Sequence, residues 1–276
     1  EIRCIGEKLS CDFERMPPEF TNRNHAMSWI MELCKRQELR QLVRECMAKD
    51  RFTYRHCLGV ALLSYAIGAW SGMEEESLRE LAVAGFLHDI GKLKIHHSIL
   101  KKAGPLTQDE FSEMSLHTLT GFEMLRGIPG LTERQALVAL QHHEREDGSG
   151  YPFGIDGGKI SEFSKAVAIA DLFHSRISER VYERPMSFYQ VIREIYETKS
   201  GQFDARLVRC FVSKWMSLTL HREVLLSNGQ IGRIVKLHAD DLIHPMVKSR
   251  GRLFDIRKSK LEIVDLTGGS PYVRSV

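Results

Sequence analysis

The chain has 276 residues, 43% hydrophobic and 27% charged, the make-up of an ordinary soluble globular protein with room for one large core and a small appended unit. Its formal net charge of +3 is too small to argue for a nucleic-acid polymer or an anionic membrane as partner. The longest nearly apolar stretch, Gly59 to Trp70, contains Ser64 and Tyr65 and falls far short of a membrane span, and no signal peptide is visible.

Residues 1–27 carry Pro17-Pro18 with little periodicity and read as irregular. From Ser28 to Met47, Ile30, Leu33, Leu39, Leu42, Val43 and Cys46 recur among charges and predict one or two amphipathic helices. Residues 1–48 are therefore a helical connector, offering a partner or homodimer contact, or else they pack on the domain that follows. A long helix is predicted from about Asp50 to Ser71, where His56, Val60, Leu63, Ile67 and Trp70 share one stripe and His56 faces the core. The next stripe runs through Leu78, Leu81, Ala82 and Gly85 and carries His88 and Asp89 inward, with Lys92 placed to lie over the same face.

Thr107 and Glu110 have capping-box spacing and open a helix through Leu125. His117 lies inside it, with Gly121 one turn later where another helix can approach closely. Thr132 and Gln135 repeat the box and start a helix that ends in His142-His143. Five glycines and a proline between Asp147 and Gly158 make a loop free to turn tightly. Further helices are predicted over Ser164–Ser178, carrying Asp171, over Ser187–Thr198 and over Asp204–Leu218, so that residues 49–218 form one mainly α domain. Near Leu220 the pattern turns β-rich. Glu223–Ser227 and Gln230–Leu237 flank Asn228-Gly229, a two-residue hairpin signal, and short runs at Met246–Lys248, Leu253–Ile256 and Leu261–Asp265 complete a small antiparallel module over residues 219–276.

Five imidazoles and two carboxylates, His56, His88, Asp89, His117, His142, His143 and Asp171, thus point inward. Buried charge needs compensation, and the set exceeds what one cation takes. It suits two divalent metals sharing Asp89. Nitrogen and oxygen donors without thiolate favour iron or manganese over structural zinc. Two such ions can hold a hydroxide and both non-bridging oxygens of a phosphodiester. Six cysteines, at positions 4, 11, 34, 46, 57 and 210, contain no CxxC pair and read as reduced thiols of a cytoplasmic protein. His96 and His97 read as surface residues, since the ligand set is complete without them.

The chain resembles the HD-GYP proteins, a branch of the HD metal-dependent phosphohydrolases, over about Asp50 to Phe211. The resemblance rests on His88-Asp89-Ile90-Gly91-Lys92, Gly104-Pro105-Leu106-Thr107, His117 to Gly121 and His142-His143-Glu144-Arg145. It continues through Asp147-Gly148-Ser149-Gly150-Tyr151-Pro152, Ala170-Asp171-Leu172-Phe173 and Arg180-Val181-Tyr182. It implies an α-helical bundle with a bi- or trinuclear centre, in a bacterial cytoplasmic enzyme that hydrolyses cyclic di-GMP to linear pGpG and often GMP. By motif, His56, His88, Asp89 and Asp171 would serve one metal, and His117, His142 and His143 the other, with Asp89 shared. Lys92 would steady the scissile phosphate or the metal-bound hydroxide, Arg180 would hold a ligand phosphate, and Gly150-Tyr151-Pro152 would shape the loop beside the site.

Three positions depart from the family pattern. Phe52 stands where some members have a glutamate for a third metal, so two metals are expected. Glu183 occupies a position that is often basic, and His174 one that is often aspartate. These changes leave the ligands intact but weaken the phosphate clamp. Other outcomes therefore stay open: a signalling module that binds a cyclic dinucleotide with little turnover, a hydrolase of another one, such as cyclic GMP-AMP, and a hydrolase of another phosphate such as a nucleotide monoester, which the intact Gly148-to-Pro152 segment disfavours.

Overall fold

The structure, a computed structural model, describes residues 23–178, 186–198 and 201–267. Helices α1 (Arg23–Leu33), α2 (Gln37–Lys49), α3 (Arg51–Trp70) and α4 (Glu75–Leu87) lead to a 3₁₀ turn at Ile90–Lys94. Then come α5 (His97–Leu100), α6 (Gln108–Leu125), α7 (Glu133–Gln141) and α8 (Glu162–Ile177). Helix α9 (Phe188–Arg193) continues as a π turn, Glu194–Thr198, and α10 (Ala205–Ser217) closes the helical part.

Polar side chains set the helix starts. Asp50 accepts the amides of Phe52 and Thr53, and both predicted capping boxes form, at Thr107 with Glu110 and at Thr132 with Gln135. Helix α8 begins at Glu162 and not at Ser164, because the Ser161 hydroxyl accepts the Ser164 amide as its cap. The expected helix over Ser187–Thr198 divides at Glu194, where the α turns give way to the π turn.

Helix α3 is apolar nearly all round, and it is buried accordingly from Cys57 to Gly68. Val60, Leu63 and Ile67 meet Leu81 of α4, Phe163, Ile169 and Phe173 of α8, and Phe211 and Trp215 of α10 in one core. Phe173 stacks on Trp215 at 5.4 Å between ring centres. A second cluster joins Ile30, Leu33, Leu39 and Val43 to Leu58, Val83, Phe86 and Leu87, so α1 and α2 pack against α3 and α4. Cys34, Cys46 and Cys57 are free, buried thiols that pack in this cluster.

Five antiparallel strands follow: β1 (Glu223–Leu226), β2 (Ile231–Lys236), β3 (Met246–Ser249), β4 (Arg252–Asp255) and β5 (Ile263–Leu266), in the order β4-β3-β2-β1-β5. The β1–β2 hairpin forms, but Leu226 bonds to Gln230 and leaves a three-residue loop, Ser227–Gly229, in place of the expected two-residue turn; Gly229, at φ +77°, takes the left-handed conformation and Asn228 does not. One face of the sheet, Val224, Leu226, Ile234, Val247, Ile263 and Leu266, belongs to the same core as Phe188, Val191, Ile192 and Trp215. The Tyr189 hydroxyl donates to the Ile243 carbonyl across this junction. The fold is thus mainly α, with its small sheet laid over an apolar face of the bundle. No helix among the described residues is long and apolar enough to cross a membrane.

Candidate metal centre

Side chains carried on or at the ends of five helices gather around Asp89. Helix α4 stops at His88, and Asp89, at φ −100° and ψ 9°, turns the chain into the 3₁₀ segment. That segment presses on α6 through two glycines. A Cβ on Gly91 would stand 2.0 Å from the His117 carbonyl oxygen and 2.6 Å from the Gly121 amide nitrogen. Gly121, the point of close approach expected from the sequence, would in turn meet the Gly91 nitrogen at 3.3 Å. The contact brings His117 up to Asp89.

The two oxygens of Asp89 face different neighbours. Oδ2 lies 3.3 Å from His88 Nε2 and 4.0 Å from His56 Nε2. Oδ1 lies 3.4 Å from His117 Nε2 and 3.7 Å from His142 Nε2. Asp171, on α8, closes the first group, its Oδ1 2.9 Å from His56 Nε2 and 3.9 Å from His88 Nε2. Its Oδ2 lies 4.0 Å from His143 Nδ1. Donor atoms of Asp89, His117, His142 and His143 fall within 4.8 Å of one another, and so do those of His56, His88 and Asp171.

The tautomers are set from outside. Nδ1 donates to the Gly85 carbonyl at 2.8 Å from His88 and to the Met114 carbonyl at 2.7 Å from His117. His142 Nδ1 donates to the carbonyls of Val138 (3.0 Å) and Ala139 (3.1 Å). A carbonyl only accepts, so in each neutral ring the Nε2 lone pair faces the centre, as a metal ligand requires. Burial favours that neutral form: it pushes His117 down to about 4 and lowers His56, His142 and His143 as well. For His88 burial pulls the same way, but Asp89 and then Asp171 outweigh it and leave the ring raised. Burial pushes both carboxyls up, yet both are held well below the usual range, Asp89 by Lys92 and His88 and Asp171 by His56. Lys92 Nζ sits 2.5 Å from Asp89 Oδ2, and despite burial Asp89 and Asp171 keep its ammonium raised.

His88 Nε2 and Asp89 Oδ1 are buried and make no hydrogen bond. An orphaned buried polar atom costs about 1–3 kcal/mol. Two such atoms at the junction of seven nitrogen and oxygen donors fit divalent cations as the missing partners.

The loop after α7 is seated on the histidines. A Cβ on Gly150 would lie 2.5 Å from backbone atoms of His143, Glu144 and Arg145. The Tyr151 amide donates to the His143 carbonyl at 3.2 Å, and the Tyr151 ring stacks on the His143 ring at 4.6 Å. Tyr151 therefore acts first as a platform for a histidine. The sequence reading missed Glu144, whose buried carboxylate accepts the amides of Phe153 (2.8 Å) and Ile155 (3.1 Å) and staples the loop. It also gave no role to His174, whose Nδ1 lies 3.0 Å from His56 Nδ1 and 3.1 Å from Ser178 Oγ. A Cβ on Gly59 would lie 1.9 Å from His174 Nε2, so only glycine leaves space for that ring. The signal was present: Gly59 is one turn after His56, and His174 one turn after Asp171.

Over the centre opens a cleft of about 280 Å³ whose walls include Phe52, Thr53, Lys92, Arg145, Leu172 and Arg176. Phe52 stands at its mouth, 39% exposed, with its ring nearly parallel to that of His56. Arg180 and Glu183 lie outside the described residues. His96 and His97 are exposed.

The profile of the HD domain family matches residues 17–207, more than half of the chain. The chain belongs to the HD domain family, in its HD-GYP branch. The chain is 33% identical over 221 residues to a cyclic di-GMP phosphodiesterase of Pseudomonas aeruginosa, covering 79% of this chain and 52% of that protein. A cyclic di-GMP phosphodiesterase of Thermotoga maritima is 38% identical over 172 residues, 62% of this chain and 47% of its own length. A 3'3'-cGAMP-specific phosphodiesterase of Vibrio cholerae is 35% identical over 164 residues, 58% of this chain and 37% of its own. The chain thus spans about half or less of these relatives. In this HD-GYP protein the HD dipeptide is His88-Asp89, and the GYP segment is the loop seated on His143.

Proposed function

We propose that this HD-GYP protein is a metal-dependent phosphodiesterase that opens cyclic di-GMP to linear pGpG, with GMP as a further product, in the bacterial cytoplasm. The observation that carries it is the position of Asp89, a carboxylate with one oxygen toward each of two ligand groups and Lys92 beside it. His56, His88 and Asp171 would hold one divalent ion, His117, His142 and His143 the other, with Asp89 shared and iron or manganese preferred. Such a pair supplies Lewis acidity and a nucleophilic water at neutral pH.

The protein's own groups do the rest. The backbone carbonyls behind His88, His117 and His142 fix which nitrogen each ring presents. Lys92 places a positive charge where a phosphodiester entering the cleft gains negative charge. Tyr151 and Glu144 hold the loop that backs His143. Phe52 offers no carboxylate at the mouth, which supports two ions and not three. Cyclic GMP-AMP is a second substrate reading, favoured by the likeness to the Vibrio cholerae enzyme. Binding without turnover is disfavoured by a complete set of seven donors.

The test is anaerobic purification followed by metal analysis and product analysis on cyclic di-GMP, cyclic GMP-AMP and cyclic di-AMP. Two ions per chain and a linear product from the first are expected. Metal-loaded protein that releases no linear product from any of the three would overturn the assignment.

A further inference from the structure

Among the described residues, three cationic side chains line the cleft: Lys92, Arg145 and Arg176. Lys92 is bound to Asp89. Arg145 Nη1 donates to the carbonyls of His142 (3.1 Å) and Glu144 (2.8 Å), and its guanidinium lies 4.8 Å over the Phe203 ring. Arg176, five residues beyond Asp171 on α8, is different. Nη2 reaches Glu194 Oε1 at 3.1 Å, but Arg176 Nε and Glu194 Oε2 are both buried without a hydrogen bond. The two-pronged pairing that suits a guanidinium and a carboxylate has not formed. Glu194 is the first residue of the π turn, so a local irregularity of the backbone, of a kind frequent at functional sites, carries the residue that tethers Arg176. The Arg176 side chain remains 38% exposed on the cleft wall, with donors left for an anion.

A cyclic dinucleotide brings two phosphodiesters. Only one can react at the centre, and the other enters the same cleft with its full negative charge. We propose that Arg176, positioned by Glu194, binds this second, non-reacting phosphodiester and thereby selects cyclic dinucleotides over small esters with a single phosphate. The inference rests on the phosphodiesterase reading above. It assigns a contact that the sequence did not offer, four positions before Arg180 in the sequence.

The experiment compares cyclic di-GMP with bis(p-nitrophenyl) phosphate, which has one phosphodiester and no second, on the metal-loaded full chain. Arg176→Ala should raise KM for cyclic di-GMP about tenfold or more, the scale of a lost charge-assisted hydrogen bond. The ratio of kcat/KM between the two substrates should fall by a similar factor, with metal content retained. Arg176→Lys should recover only part, since it restores the charge without the planar fork. Glu194→Gln should raise KM in the same direction by a smaller factor. Equal losses on both substrates would mean a structural role, and an unchanged KM for cyclic di-GMP would mean no contact; either result refutes the proposal. If the wild-type chain hydrolyses only the small ester, the substrate reading itself fails, an outcome distinct from an active wild type with an indifferent Arg176→Ala.

Discussion

Asp89 and Lys92 touch each other, yet their removal should have opposite consequences. Asp89→Ala deletes the carboxylate that faces both groups of ligands, so metal analysis should find both positions depleted. Lys92→Ala removes a charge while leaving all seven donors, so metal content should stay near normal as turnover falls roughly hundredfold, the usual cost of one electrostatic donor at a reacting centre. Wild-type turnover in Lys92→Ala would leave the lysine a structural part only. The side chains gathered here could be picked out in the sequence because they lie on inward helical stripes or just past the helix ends to which such stripes lead, and the stripe is a local pattern. Glu144 and His174 could not be read so readily. Their partners, the amides of Phe153 and Ile155 and the ring of His56, are supplied by chain folding.

Where helices begin was written in single residues, and the capping boxes at Thr107 and Thr132 formed at the predicted places. Where they break was less visible. The turn at Asp89 depends on the 3₁₀ segment meeting α6 at Gly91 and Gly121; Gly121 marks a place for close approach, but nothing local names Gly91 as what meets it. Gly91→Ala tests it. The new methyl would overlap the His117 carbonyl, a backbone atom that cannot rotate away, so a cost of about 1–3 kcal/mol is expected. The same shift separates Asp89 from His117. Thermal melts should show a lower Tm, and metal analysis should show loss of the ion held by His117, His142 and His143. A variant with wild-type Tm and full metal content would disprove the close contact.

The sheet is the whole-molecule counterpart of that lesson. Its strands and hairpin could be read from alternation and Asn228-Gly229, but its seat could not, because burial of one face depends on distant α9 and α10. Since Val224, Leu226 and Val247 share a core with Phe188 and Trp215, deletion of residues 219–276 should expose a broad apolar surface. Size-exclusion chromatography should find the truncated chain aggregated or absent from the soluble fraction. A monodisperse truncation that keeps its metals would show the bundle to be self-sufficient.

His56 and Asp171 lie 115 positions apart in the chain and 2.9 Å apart in space, and the other donors come from segments between them. Ions at this centre would therefore tie shut most of the helical chain, as cross-links that a chelator can withdraw. A ligand at a hundredfold excess over its dissociation constant adds about 2.7 kcal/mol to the folded state. Chelation should accordingly lower the Tm and quicken proteolysis, both measurable on the purified protein. In a cell short of the metal, the protein would then be lost by turnover of the chain itself as well as by idling, and on the proposed phosphodiesterase reading the lifetime of cyclic di-GMP would follow metal supply through protein abundance.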